Sequence, residues 1–292
     1  MSLDKLEGYI WFNGEFIKAT DTQVPLLSHA LHYGTGVFEG CRAYNGKVFK
    51  LKEHNERLIN SGNLVDVPLP YSQEELYEAV YKTLEKNNLK DAYVRPIAWR
   101  GCKSLSVASS ANDVNVAIAV WEWPSYYSGD VLEKGIKLAK TKWVKPDPRS
   151  VPVESKTCGF YFVGGIVKNQ CERDGFNDAL MLDVKGNIAE CTSSNVFFAN
   201  SNNKEIHTPA PYSLLNGITR QTVIELANKR GYKVNEREIK EAEFEIFDEA
   251  FVTGTAAEVT PVGQIWGKDY KVGEITKQLR EDYINLVNEI EE

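Results

Sequence analysis

The chain has 292 residues, 42% hydrophobic and 11% aromatic, enough to fill real cores and more than one compact core usually needs. Its net charge at pH 7 is −7 with no lysine or arginine run, so nucleic acid and anionic membrane surfaces are poor partners. The five cysteines (Cys41, Cys102, Cys158, Cys171, Cys191) are scattered and never form a C-x-x-C pair, which argues against a disulfide framework or a zinc site and fits a cytoplasmic location.

The N-terminus, MSLDKLEGYIWF, mixes charge into its first residues and has no apolar core of a secretory signal. YIWFNGEFIKA then reads as a hairpin about an Asn-Gly turn, and CRAYNGKVFKL repeats the device. Between them, GTGVFEG (34–40) contains the start of a glycine-rich dinucleotide fingerprint but lacks the strand before and the correctly spaced third glycine. It is expected to be a tight turn exposing Phe38. His29 and His32 could share a helical face, but no carboxylate stands near enough in sequence to make a metal site, and none is expected.

KEHNERLINSGN (52–63) has helical spacing, and SQEELYEAVYKTLEKNN is an amphipathic helix with Ser72 as N-cap, Glu75 at the capping-box position and Leu76, Val80 and Leu84 on one face. DAYVRPIAWRG and NDVNVAIAVWEW read as buried strands, the apolar run being far too short to span a bilayer. WPSYYSGDVLEKG, with little periodicity, reads as a linker. Beyond it come a strand (IKLAKTKWV), a loop holding Lys156, a helix over 159–173, and a hairpin, DALMLDVKGNIAECTSS, turning at KGN. Strands NVFFANS and KEIHTP, helix NGITRQTVIELANKRG, a strand ending in a loop (AFVTGTAAEVTPV) and helix ITKQLREDYINLVNEI complete the chain. The pattern gives an α/β or α+β protein of two domains with mixed sheets flanked by helices: 1–126, an interdomain loop 127–134, and 135–292.

Five stretches carry chemistry. Lys156, in VPVESKTCGFYF, is either a solvated loop lysine or one whose neutral amine is needed, as in Schiff-base chemistry. Ile218 and Thr219 open a helix after Asn216-Gly217, where free backbone N–H groups and the helix dipole favour an anion. Thr255, Ala256 and Ala257 follow Gly254 in a second small-residue stretch that is either a plain tight loop or a site for the same task, and Arg57 is either a third anion group or a solvated helix-face charge. Period-two alternation puts Ile188, Glu190 and Thr192 on one strand face, so Glu190 is either an edge charge or a carboxylate in need of a buried cation. A reactive lysine, a strand carboxylate and two phosphate-sized anion sites are the parts that pyridoxal 5'-phosphate requires.

The stretches LSHALHYGTGVFEGCRAYNG, EHNERL, AYVRP, SKTCGFY, IAECTSSNVFF, LNGITR and VTGTAAEVTPV, in that order across nearly the whole chain, resemble the class IV (fold-type IV) aminotransferases, and among them the branched-chain amino acid aminotransferases. The resemblance implies that Lys156 holds the cofactor aldehyde and shuttles the proton, Tyr161 faces the ring oxygen, and Glu190 pairs with the pyridine nitrogen. Arg57, Ile218, Thr219 and Thr255 would bind the phosphate. Ala256 and Ala257, with the Tyr93 hydroxyl, would take the substrate α-carboxylate, and Arg95 the distal carboxylate of glutamate. Tyr33, Phe38, Trp123 and Tyr126 would form the aromatic pocket for an aliphatic side chain, with Gly40 giving close approach and a loop near 127–131 covering it. The implied enzyme is a cytoplasmic homodimer or hexamer that exchanges the amino group of leucine, isoleucine or valine with 2-oxoglutarate. The family's usual E-G-x-G-E-N is ECTSSN here, and WRGCKSLSVASSAND lacks the usual M-G-x-N-P. The same fold and lysine also serve D-amino acid and (R)-amine transaminases and aminodeoxychorismate lyases, which stay open as alternatives.

Overall fold

Asn13 and Gly14, then Asn45 and Gly46, have φ of 48°, 96°, 51° and 86°, the backbone that a two-residue hairpin turn demands. They close the hairpins β1 (Tyr9–Phe12)/β2 (Glu15–Lys18) and, beyond α1 (His29–Tyr33) and β3 (Gly36–Phe38), β4 (Cys41–Tyr44)/β5 (Lys47–Val48). The computed structural model describes residues 6–123, 127 and 129–289. The chain divides into two units: Met1–Pro124 with Ser155–Gly159, and Ser125–Glu154 with Phe160–Glu292. The sequence boundaries leave the short segment 155–159, which carries Lys156, with the C-terminal domain; it packs instead as part of the first unit.

In the first unit, α2 (Leu51–Leu64) and α3 (Gln73–Lys86) are followed by two long strands, β6 (Ala92–Arg100) and β7 (Val114–Glu122). The sheet order is β2-β1-β7-β6-β4-β5 with β3 also on β6, all antiparallel. Ser72 accepts from the Glu75 amide (3.2 Å) while the Glu75 carboxylate accepts from the Ser72 amide (2.7 Å), so the capping box forms. Leu76, Val80 and Leu84 are at most 3% exposed and join Leu58, Val94 and Ile118 in the core; each such side chain contributes roughly 1.5–3 kcal/mol by burial. GVF is not a tight turn but strand β3, with Phe38 half-buried, because its backbone pairs with Ile97–Trp99 of β6. His29 is fully buried and structural, its ring nitrogens bonding Thr35 Oγ1 (2.8 Å) and the Ser106 carbonyl (2.9 Å).

The second unit begins with α4 (Asp130–Lys134), a short helix inside the stretch expected to be a linker; Tyr127 and Val131 pack on this unit's core. Then come β8 (Ile136–Val144), α5 (Tyr161–Arg173), β9 (Asp178–Leu182), β10 (Ile188–Cys191), β11 (Asn195–Asn200), β12 (Glu205–Pro209), α6 (Ile218–Lys229), β13 (Lys233–Arg237), β14 (Glu249–Gly254), β15 (Glu258–Ile265), β16 (Lys268–Asp269) and α7 (Glu274–Asn288). The sheet runs β10-β9-β8-β15-β14-β11-β12-β13 with β16 on β15, and is mixed: β8 lies parallel to both β9 and β15, and β12 to β13. AFVTGTAAEVTPV is two strands, β14 and β15, joined by a turn at 255–257, rather than one strand and a loop.

One irregularity bears on Glu190. Ile188 pairs with Leu182 and Cys191 with Leu180, so three steps on β10 match two on β9, a β-bulge. The alternation expected for Ile188, Glu190 and Thr192 is therefore broken. Ile188 and Cys191 both enter the same apolar core, and the extra residue frees Glu190 to point elsewhere while staying 6% exposed.

Candidate active site

Lys156 is held by its backbone from two sides. Its carbonyl accepts from the Phe38 amide of β3 (3.1 Å), and its amide donates to Ser61 Oγ of α2 (3.0 Å). Ser155 Oγ donates to the Ser61 carbonyl (3.0 Å), Ser155 and Thr157 share a hydroxyl contact of 2.6 Å, and Thr157 bridges to Val37. The half-buried side chain lays its Nζ over the Phe38 ring at 4.9 Å from the centroid, and Arg95 approaches the same ring at 4.8 Å. Burial pulls the Lys156 pKa down to about 8; Glu39 resists this, and Arg57 and Arg95 reinforce it. Near pH 7 about one amine in ten is then neutral, against fewer than about one in a thousand for an ordinary lysine.

Around it stand residues of the same unit. Arg57 grips Glu39 with both ends of its guanidinium (Nε to Oε1 2.6 Å, Nη2 to Oε2 2.9 Å), and His54 donates Nδ1–H to Oε2 at 2.7 Å. Burial would push the Glu39 carboxyl up, but Arg57 and His54 overcome it and hold the group well below the usual carboxylate range. Burial also lowers the His54 pKa, against the pull of Glu39. Glu39, Cys41 and His54 have ligand atoms within 4.8 Å of one another, but with both Glu39 oxygens taken by Arg57 and His54 the set is an ion-pair network in which a guanidinium stands where a cation would sit.

Tyr93 stacks on Trp121 (5.0 Å) and meets Trp123 at a tilt (4.9 Å), and its hydroxyl accepts from Arg95 Nη2 at 3.0 Å. Arg95 Nε is buried without a hydrogen-bond partner among the described residues, an orphaned donor fit for a bound anion. Gly40 leaves room for this arrangement, since a Cβ there would lie 2.0 Å from Tyr93 Oη. Tyr33 ends α1, 48% exposed, with its hydroxyl donating to the Leu105 carbonyl (3.2 Å). Tyr126 lies outside the described residues.

The second unit assembles the other predicted positions. Glu190 Oε1 pairs with Lys145 Nζ at 2.6 Å, and Oε2 accepts from Asn195 Nδ2 at 2.9 Å. The same Asn195 Nδ2 donates to the Leu215 carbonyl (2.9 Å), and a Cβ on Gly217 would lie 2.3 Å from Asn195 Oδ1. Asn195 therefore ties the carboxylate to the loop that opens α6, whose first residues are the buried Ile218 and Thr219 with Gly217 as N-cap. First-turn amides of a helix have no partner within it and favour an anion. Tyr161 opens α5. Thr255, Ala256 and Ala257 form the half-buried turn between β14 and β15, closed by Thr260 Oγ1 donating to the Ala257 carbonyl (2.6 Å). The glycine-poor ECTSSN is satisfied locally: the Cys191 amide donates to the Ser194 carbonyl (2.8 Å) and the Thr192 hydroxyl to Asp178 (2.7 Å).

Sequence reasoning missed Glu39, His54, Lys145 and Asn195. Asn195 carried a readable signal, as the terminal Asn that ECTSSN keeps from E-G-x-G-E-N. The other three depend on long-range pairing that no local pattern reports.

The profile of the family described as amino-transferase class IV matches residues 36–265. The chain belongs to the class IV aminotransferase family. Over 294 residues it is 40% identical to a probable branched-chain-amino-acid aminotransferase of Rickettsia felis, covering 99% of each chain. It superimposes on the branched-chain aminotransferase of Thermoproteus uzoniensis with norvaline at a TM-score of 0.91, with 33% identity over 97% of this chain and 96% of that one. On the branched-chain amino acid aminotransferase of Thermobaculum terrenum in its PLP form the TM-score is 0.86, with 30% identity over 97% of this chain and 94% of that one. Within the family the chain therefore groups with the branched-chain-amino-acid aminotransferases.

Proposed function

We propose that this chain catalyses ping-pong transamination of leucine, isoleucine or valine with 2-oxoglutarate, using pyridoxal 5'-phosphate. The observation that carries the reading is Lys156: a lysine clamped by its own backbone, with its amine pulled to about 8. The donor set fits the cofactor, since an amine suits an aldehyde, the start of α6 with Thr219 and Thr255 suits a phosphate, and a buried carboxylate suits a protonated ring nitrogen. When bound, the cofactor supplies the electron sink.

In this reading Lys156 holds the cofactor and moves the proton at the substrate α-carbon, and Glu190 keeps the ring nitrogen protonated. Tyr161 donates to the ring oxygen, while Arg57, the Ile218 amide, Thr219 and Thr255 hold the phosphate. Ala256 and Ala257 amides and the Tyr93 hydroxyl bind the α-carboxylate, and Arg95 binds the distal carboxylate of glutamate. Phe38, Tyr33 and Trp123 receive the aliphatic chain, with Tyr126 assigned to the same pocket, and Gly40 admits the substrate.

We also take the protein to work in the cytoplasm as a homo-oligomer, dimer or hexamer. Support for association comes from Leu26 (79% exposed), Leu31 (62%) and Val107 (80%) on one unit, stitched together by His32 to the Leu26 carbonyl and Tyr33 to the Leu105 carbonyl. No helix of the described residues is long and apolar enough to cross a membrane.

The test is the visible spectrum of the cofactor-loaded protein before and after L-leucine, L-glutamate, D-alanine and an (R)-amine in turn. Loss of the cofactor band with both L-leucine and L-glutamate, restored by 2-oxoglutarate, is the expected result. A response to D-alanine or the amine alone moves the protein to a sister activity.

A further inference from the structure

We infer that Lys145 is a positioning residue for Glu190: its ammonium holds the carboxylate in place, and biases a proton shared between Glu190 and the cofactor's ring nitrogen toward the nitrogen. This rests on the reading of Glu190 as the ring's partner.

Lys145 is pinned just past β8 by its own amide, which donates to the Leu182 carbonyl (2.8 Å). Its side chain is 17% exposed, and its Nζ touches Glu190 Oε1 at 2.6 Å. Burial pulls the ammonium pKa down, but the Glu190 carboxylate more than offsets this, and the net shift is upward, so Lys145 stays charged. A carboxylate has about four lone-pair sites. Lys145 takes one on Oε1 and Asn195 one on Oε2, so a third donor is accommodated without breaking either bond.

The sign of the effect follows from position. Any third donor stands farther from Nζ than the carboxylate oxygen that Nζ touches. Moving the shared proton from carboxylate to ring nitrogen therefore carries positive charge away from the ammonium. At an effective dielectric near 20 a unit charge at hydrogen-bond distance from one end of that path biases the partition by about tenfold. Lys145 thus keeps the ring in the form that withdraws electrons best, without touching cofactor or substrate.

The experiment uses the full-length protein loaded with pyridoxal 5'-phosphate isotope-labelled at the ring nitrogen, whose NMR resonance reports protonation directly. Lys145→Met should move the resonance toward that of the unprotonated ring, with about a tenfold change in the partition, Lys145→Arg should restore it, and Glu190→Gln should move it at least as far. Lys145→Gln, which keeps a donor but no charge, repeats the measurement without an apolar group against the carboxylate. A resonance unchanged in Lys145→Met and Lys145→Gln but shifted in Glu190→Gln overturns the proposal and leaves the Glu190 reading intact. A resonance unchanged in Glu190→Gln overturns that reading, and the role of Lys145 with it.

Discussion

Gly40→Ala adds one methyl group at a place where the structure has no room for it. The new Cβ would lie 2.0 Å from Tyr93 Oη and 2.9 Å from Cζ, whereas ordinary contact begins at 3.4 Å. Tyr93 cannot simply swing aside: it is 7% exposed, stacked on Trp121, in tilted contact with Trp123, and bonded through its hydroxyl to Arg95. Overpacking of this kind costs about 1–3 kcal/mol. Because the worst clash is with the hydroxyl oxygen, Tyr93→Phe in the same chain should recover part of that loss, though Cζ remains too close. Urea unfolding of the wild type, both single variants and the double variant should give a coupling of about 0.5–2 kcal/mol in the stabilising direction. If the two substitutions add within about 0.5 kcal/mol, the Cβ finds other space and the close approach of Gly40 to Tyr93 is not what the position requires.

Lys156→Ala should abolish turnover and the visible cofactor band while changing stability by less than about 1 kcal/mol, since only a half-buried side chain is removed; steady-state activity in the variant would refute the assignment. Arg95→Ala should slow the glutamate half-reaction by about tenfold to a hundredfold, the loss of a charged hydrogen bond, and the leucine half-reaction less. Equal losses in pre-steady-state measurements with the two amino acids would contradict the dual-substrate reading. Glu39→Gln should destabilise the protein at pH 7 by about 3–5 kcal/mol, because it leaves Arg57, 16% exposed, without its carboxylate. The Glu39 carboxyl is held low in the folded state, so its stabilisation is complete above the unfolded pKa, near 4.5, and lost as pH falls from there toward the folded value. Unfolding midpoints measured from pH 7 to pH 3 should fall less steeply in Glu39→Gln, and parallel curves would count against the network.

Elements with a local cause were legible in the sequence: both Asn-Gly hairpins, the capping box at Ser72, and the apolar ladder Leu76, Val80, Leu84. The failures have non-local causes. Strand β3 is three residues long and exists because β6 offers it an edge, which GVF cannot announce by itself. The β10 bulge defeats strict alternation at Glu190, since a bulge is a property of the pair of strands. In the site, Lys156 and Glu190 could be singled out as chemistry-bearing types in unusual surroundings. Sequence logic also recognised that a buried Glu190 needs a cation, yet could not find Lys145, 45 positions earlier and across a parallel strand pair. The Glu39–Arg57 pair hides for the same reason: each residue alone looks like a surface charge.

The splice that puts residues 155–159 into the first unit has a consequence for how the protein is born. A ribosome that has finished residue 124 has made nearly all of that unit but not the piece that bridges Val37 through Thr157 and carries the reactive amine. Domains otherwise tend to fold in order of synthesis, N-terminal first. Here the earlier unit, though its β3–β6 pairing is already made, stays without the Thr157 bridge to Val37 until the chain has run some thirty residues into the later one. Truncation before residue 155 yields no half-enzyme, and a nascent chain presents its nucleophile only when the second unit is already under construction.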